Sequence, residues 1–103
     1  MRKIVLSAEA RQDIKEIARY TVRRWGKDQA EKYLEGLREQ IKFIQNMPAA
    51  GSDRSQELGS PFFSFPVDRH VVYYLYDEQQ VSVIAILHQA MSPKIHLRLR
   101  KNI

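Results

Sequence analysis

The 103-residue chain contains no cysteine. Disulfides, thiolate nucleophiles and cysteine-ligated metal centres are therefore outside its chemistry. No apolar run approaches the roughly 20 residues that a membrane-spanning helix needs. The run after Arg2 and Lys3, Ile4-Val5-Leu6, is too short for the core of a signal peptide. These absences lead to the expectation of a cytoplasmic protein with no membrane partner. Its four glycines are scattered, which leaves no Gly-rich phosphate loop. The histidines, His70, His88 and His96, lack metal-ligand spacing and no carboxylate cluster joins them, so neither metal nor cofactor is expected.

What is present is the composition of an ordinary folded protein, 44% apolar and 28% charged. The length suits one domain over 1–103, near the lower end for a self-sufficient core. The net charge of +5 favours acidic partners, either nucleic acid or an acidic protein. From Pro93 onward stand Lys94, Arg98, Arg100 and Lys101 with no acid, so most of the excess charge lies in the tail.

The densest pattern is Phe62 to Ala90, which reads as three strands. His70–Tyr76 and Val81–His88 are rich in Val, Ile and Tyr, side chains suited to a pleated, half-buried surface. Asp77-Glu78-Gln79-Gln80 joins them, and a turn centred on Glu78 and Gln79 sets a register. Tyr76 then faces Val81, Tyr74 faces Val83, Val72 faces Ala85 and His70 faces Leu87. The other face carries Leu75 with Ser82, Tyr73 with Ile84, Val71 with Ile86, and Arg69 with His88. Neither face is polar throughout, so the second one is expected to lie under a partner protein.

Ahead of this block, Lys3–Leu6 can form a first strand and Ser7 a helix N-cap. Ala10, Ile14, Ile17, Ala18, Thr21 and Trp25 recur at helical spacing, with Trp25 expected as a lid on the core. Arg11, Asp13, Lys15, Glu16, Arg19 and Arg23 read as a solvated face. Gly26 ends this helix, and Asp28 with Glu31 resembles a capping box for a second one. Its stripe is Ala30, Tyr33, Leu34, Leu37, Ile41 and Ile44, and Gly36 inside it suggests a close helix approach. Met47–Pro61 reads as a loop. In the tail, Ser92-Pro93 suits a helix start, whereas Ile95, Leu97 and Leu99 alternate as in a strand. A short helical turn followed by a loose basic end is the expectation. The resulting class is α+β, order β-αα-βββ, with a helical hairpin packed on one face of a small, mostly antiparallel sheet.

The order of elements, Arg54-Ser55-Gln56-Glu57-Leu58, Ser64-Phe65-Pro66-Val67-Asp68-Arg69 and the strand ending Ile86-Leu87-His88 resemble the ParE toxins of type II toxin–antitoxin modules. These belong to the wider ParE/RelE superfamily. The resemblance implies a toxin neutralised by a cognate ParD-like antitoxin in a hetero-oligomer. It also implies DNA gyrase as the target, with DNA touched only through gyrase, and a role in plasmid stabilisation. The antitoxin would lie on Tyr73, Leu75, Ile84 and Ile86. Arg69, His88, Lys94, Arg98 and Arg100 would meet the target, and no residue would be catalytic.

A second reading is a RelE-like, ribosome-dependent mRNA endoribonuclease. Such chemistry needs cations around a phosphate and a proton donor or acceptor near it, for which Arg69 and His88 are the candidates. The plainer account of that pair is an ion pair of Arg69 with Asp68 or Glu57, and a strand-ending hydrogen bond from His88. A third reading is a relative that has lost toxicity and only binds an antitoxin. Tyr73, Tyr74 and Tyr76 could stack on bases, but strand tyrosines more often lie in a core or under a partner.

Overall fold

The computed structural model describes residues 2–98 and Arg100. Its elements are β1 (Lys3–Leu6), α1 (Ala8–Trp25), α2 (Lys27–Asn46), a 3-10 turn (Pro48–Ala50), β2 (Ser52–Asp53), α3 (Ser55–Leu58), β3 (Phe63–Val67), β4 (His70–Tyr76), β5 (Gln80–His88) and α4 (Pro93–Arg98). The strands make one five-stranded sheet in the order β1-β5-β4-β3-β2. It is antiparallel except where β1 runs parallel to β5. The α+β layering is the expected one, with the α1–α2 hairpin on one sheet face. Among the described residues no helix is long and apolar enough to cross a membrane.

Local chemistry explains most boundaries. The Ser7 hydroxyl accepts from the Ala10 N–H at 3.0 Å and starts α1. Gly26, at φ 92°, is both the last cap of α1 and the first of α2, a backbone that side chains resist. The anticipated Asp28 cap is therefore not used. Asp28 sits inside the first turn, where its charge still complements the helix end. Nothing lies within 4 Å of where a Gly36 Cβ would stand, so close helix approach does not account for that glycine.

The expected 47–61 loop carries structure of its own. β2 pairs with the start of β3, Ser52 opposite Ser64 and Asp53 opposite Phe63. The Asp53 carboxylate accepts from the Ser55 N–H at 2.8 Å and opens α3. Pro66 is tolerated in β3 because β2 reaches only Phe63 and Ser64, leaving Pro66 on an open edge.

The β4–β5 hairpin follows the expected register for its first three pairs, Tyr76–Val81, Leu75–Ser82 and Tyr74–Val83. The Asp77 carboxylate accepts from the N–H groups of Gln79 and Gln80, which shapes a turn that lacks Asn-Gly. Beyond Tyr74 the register slips by one residue. Tyr73 faces Ala85, Val72 faces Ile86, Val71 faces Leu87 and His70 faces His88. The expected pairs Tyr73–Ile84, Val72–Ala85, Val71–Ile86, His70–Leu87 and Arg69–His88 are thus incorrect. Ile84 is the extra residue of a β-bulge. The bulge falls where β1 ends: the Ser7 N–H donates to Val83 O at 3.0 Å, and the Ser7 hydroxyl donates to Ile84 O at 3.1 Å.

The slip decides which side each residue serves. Ile86 joins Val72, Tyr74, Val81 and Val83 under the helices, packed with Ile17, Leu37, Ile41 and Ile44. Tyr73, Ile84, Ala85 and Leu87 point the other way, where Phe62 and Leu97 cover them. Tyr73 is only 4% exposed and Ile84 1%. The chain's own α4 and the 58–62 segment shield the second face, which corrects the expectation of a partner lying directly on it.

Tyr74, wholly buried, donates its hydroxyl to Pro48 O at 2.5 Å. A Cβ on Gly51 would overlap that hydroxyl. Gly51→Ala is expected to cost about 1–3 kcal/mol in urea unfolding. The cost should shrink in a Tyr74→Phe background, and equal costs in the two backgrounds would contradict this packing.

Candidate functional site

β1 accompanies β5 only as far as Val83, leaving the outer edge from Ile84 to His88 without a neighbouring strand. An open edge leaves backbone polar groups unpaired. Here side chains take the strand's place. The Asp13 carboxylate, on the buried face of α1, accepts from the Ile86 N–H at 2.9 Å. Arg100 donates to the same carboxylate at 2.8 and 3.0 Å and to Ile84 O at 3.1 Å. Both side chains are largely shielded, at 15% exposure for Arg100 and 11% for Asp13. The hydrogen bond to Asp13, opposed by partial burial, raises the Arg100 pKa and keeps the guanidinium charged.

Past this bridge a cleft of about 620 Å³ lies between α1 and the sheet. Its walls include Ile17, Tyr33, His70 and Leu87, while Tyr20, Trp25 and Met91 stand at its mouth. Those three are 57%, 51% and 37% exposed, an unusual grouping of large apolar side chains around one opening. Trp25 is therefore not the core lid expected of it. Charge of both signs lines the cleft: Glu16 and Asp68 beside Asp13, and Arg69 beside the two histidines.

The β3–β4 turn aims Arg69 at this cleft. It consists of Asp68 and Arg69 alone, with Asp68 at φ 58°, a left-handed backbone that Asp tolerates better than most residues. The Arg69 guanidinium lies 5.8 Å from the centre of the Trp25 ring. Among the described residues it has no carboxylate within ion-pair distance, so the expected pair with Asp68 or Glu57 is absent. Glu57 is instead held by Arg54. His88 closes β5, its Nδ1 accepting from the Ala90 N–H at 3.1 Å. Directly across the sheet stands His70, ring centres 5.5 Å apart, with its Nδ1 2.5 Å from the Tyr33 hydroxyl. Burial lowers the His70 pKa and the neighbouring His88 lowers it further, against the pull of Asp68 and Asp13. Arg69 and His88 thus share one cleft, although not as the cross-strand pair expected.

The other named residues are distributed differently. Lys94 and Arg98 line a second hollow of about 430 Å³ on the far face, with Leu58, Phe62, Leu75 and Leu97. Leu75 lines it half-buried, Tyr73 and Ile84 are buried in the cluster with its Phe62 and Leu97, and Ile86 lies on the helix side. Arg100, expected to meet the target, is occupied by Asp13. Lys101 and the expected loose end lie outside the described residues. Arg54, unassigned from sequence, donates to Ser64 Oγ at 3.1 Å and covers the Tyr73 ring at 5.7 Å. Among the described residues no group of three or more His, Asp or Glu side chains could hold a metal ion.

Comparison with known proteins agrees with this architecture. Residues 4–93 match the family described as the ParE toxin of the type II toxin–antitoxin system parDE. The chain is 32% identical over 97 residues to Toxin ParE1 of Caulobacter vibrioides, covering 94% of this chain and 99% of that protein. Toxin ParE of Escherichia coli is 30% identical, with 88% of each chain covered. In structure the chain resembles the chromosomal ParDE toxin–antitoxin system from P. aeruginosa, with a TM-score of 0.73 at 18% identity. That likeness covers 85% of this chain and 96% of the other.

Two outcomes test the site's framework. Asp13→Ala strands the Ile86 N–H and leaves Arg100 without its partner, so urea unfolding should register a loss of about 2–4 kcal/mol. For His70, a folded-state pKa below the ordinary 6.5 means that the unfolded chain takes the proton more readily. Its stabilising contribution is present above about pH 6.5 and is lost as the pH falls through the folded value. The thermal midpoint should therefore drop from about pH 7.5 to about pH 5, and His70→Gln should flatten that slope. An unchanged slope in His70→Gln would contradict the assignment.

Proposed function

The chain belongs to the ParE toxin family of type II toxin–antitoxin systems, and from that premise we propose that it acts by binding DNA gyrase, without chemistry of its own. The observation that carries this reading is the mixed charge of the cleft. Glu16 and Asp68 line the same space as Arg69 and His88. Carboxylates there would repel the successive phosphates of an RNA backbone, whereas ribonuclease chemistry needs positive charge gathered around them. Gyrase as target rests on the family resemblance. Arg69, exposed at the cleft, supplies a cation there for an acidic segment of the target, separate from Lys94 and Arg98 on the far face. A toxin with this target would act in the cytoplasm.

For the antitoxin, a ParD-like protein, we propose the far face of the sheet. The contact surface is the hollow bounded by Leu58, Leu75 and Leu97, and not the bare sheet. Tyr73 and Ile84 support it from below. An apolar antitoxin side chain seated there, with acidic neighbours near Lys94 and Arg98, would satisfy both the shape and the charge.

The test is expression under tight control, followed by assays of gyrase supercoiling and of ribosome-bound mRNA. Inhibited supercoiling with intact mRNA is expected. Cleavage of mRNA that disappears in His88→Ala would overturn the reading in favour of a nuclease. Unimpaired growth would leave only antitoxin binding. Leu75→Asp should weaken binding of the antitoxin from the same module at least about tenfold, some 1.4 kcal/mol. Unchanged affinity, measured by calorimetry, would remove the antitoxin from that hollow.

A further inference from the structure

The cleft between α1 and the β5 edge is larger than its structural duties require. Asp13 and Arg100 complete the sheet edge at its inner end, and the remaining volume, about 620 Å³, falls in the range of small-ligand pockets. Three features decide what could fill it.

The first is the protonation of its histidines. His88 Nδ1 accepts a hydrogen bond from the Ala90 N–H, so in the neutral ring the proton must reside on Nε2. His70 Nδ1 faces the Tyr33 hydroxyl at 2.5 Å, while the same hydroxyl is 3.4 Å from Val67 O. The hydroxyl donates to Val67 O, which leaves its oxygen to accept from His70 Nδ1–H and makes Nε2 of His70 an acceptor in the neutral ring. His88 therefore carries a donor on Nε2, a nitrogen with no hydrogen-bond partner among the described residues. The second feature is Arg69, always charged, held over Trp25 and without an ion-pair partner among the described residues. The third is the apolar remainder of the wall, Ile17, Tyr20, Trp25 and Tyr33.

We propose that this cleft is a binding site for a carboxylate carried on an aromatic or branched apolar body. The carboxylate takes hydrogen bonds from Arg69 and His88, and the body lies against Trp25, Tyr20 and Ile17. A dianion or a polyanion such as a nucleic-acid backbone is disfavoured, because Glu16 and Asp68 face the same space. A single negative charge is what one unpaired guanidinium can neutralise. The ligand can be a free small acid, or an acidic residue beside an apolar one in a bound peptide. This proposal does not depend on gyrase or on the antitoxin's contact surface.

Trp25 is the chain's single tryptophan and stands half exposed at the mouth, so its fluorescence reports occupancy directly. The experiment titrates the purified full chain with N-acetyl-phenylalanine and, separately, with its neutral amide, N-acetyl-phenylalaninamide. The acid should give a saturable change in Trp25 emission, and the amide should bind at least about tenfold more weakly. Arg69→Gln should reduce affinity for the acid about tenfold and remove the preference over the amide. Arg69 lies in an exposed turn, and unchanged urea unfolding of this variant serves as the control for folding. A parallel titration with a short peptide carrying a glutamate beside a phenylalanine separates the sources: tighter binding than the free acid identifies a peptide ligand, and weaker binding identifies a free acid. No saturable change, equal affinities for acid and amide, or an unaltered preference in Arg69→Gln would each overturn the proposal.

Discussion

The structure depends on how one short strand's absence is made good. β1 contributes four residues and then stops, while β5 continues for five more beyond Val83. A bare β-edge of that length, facing a helix, would bury polar backbone at a cost of about 1–3 kcal/mol for each unsatisfied group. Ser7 and Asp13 prevent this from α1's own start. One hydroxyl both caps the helix and binds Ile84 O, and one carboxylate receives the Ile86 N–H. Arg100 then returns from the far end of the chain to neutralise that carboxylate and bind Ile84 O. Helix layer, sheet and C-terminal segment meet at this one point.

The rest of the molecule's surface follows from that junction. Beyond Asp13, α1 lines one side of the cleft with Ile17, Tyr20, Thr21 and Trp25, and the sheet lines the other with His70, Ile86, Leu87 and His88. Because Arg100 is drawn to the same carboxylate, α4 crosses the far face and Leu97 packs over the Tyr73–Ile84 cluster. The Asp13–Arg100 pair links a hollow on each side of the sheet, Asp13 lining the helix-side cleft and Arg100 the far-face one.

Much of this was legible beforehand. The strand block, the helical hairpin, the Ser7 cap and the Gly26 break each have a local cause, and local causes are readable from neighbours in sequence. The bulge at Ile84 was not, because it arises from where β1 runs out, 77 residues away along the chain. That slip moved Ile86 to the helix side and brought His70, in place of Arg69, opposite His88. Asp13 was assigned to the solvated face although it sits three residues after Ala10 and four before Ile17, inside the apolar stripe. Its spacing indicated burial; its charge argued against it, and only Arg100 resolves the conflict. Trp25 departs in the opposite sense: its apolar character suggested a core position, yet it stands half exposed at the cleft mouth. The ParE-like run ending in Val67-Asp68-Arg69 proved to be the turn that delivers Arg69 to the cleft, a role that spacing alone does not reveal.

The central claim is that a carboxylate stands in for a missing strand, and amide hydrogen exchange at Ile86 tests it most directly. The account predicts that this N–H, with no strand beside it, is nonetheless protected to a degree comparable with Val81 and Val83, which have β1 alongside. In Asp13→Ala its protection should fall by at least about a hundredfold while that of Val81 and Val83 persists, the difference corresponding to some 2.7 kcal/mol. Rapid exchange at Ile86 in the unaltered protein, or protection indifferent to the loss of Asp13, would contradict it.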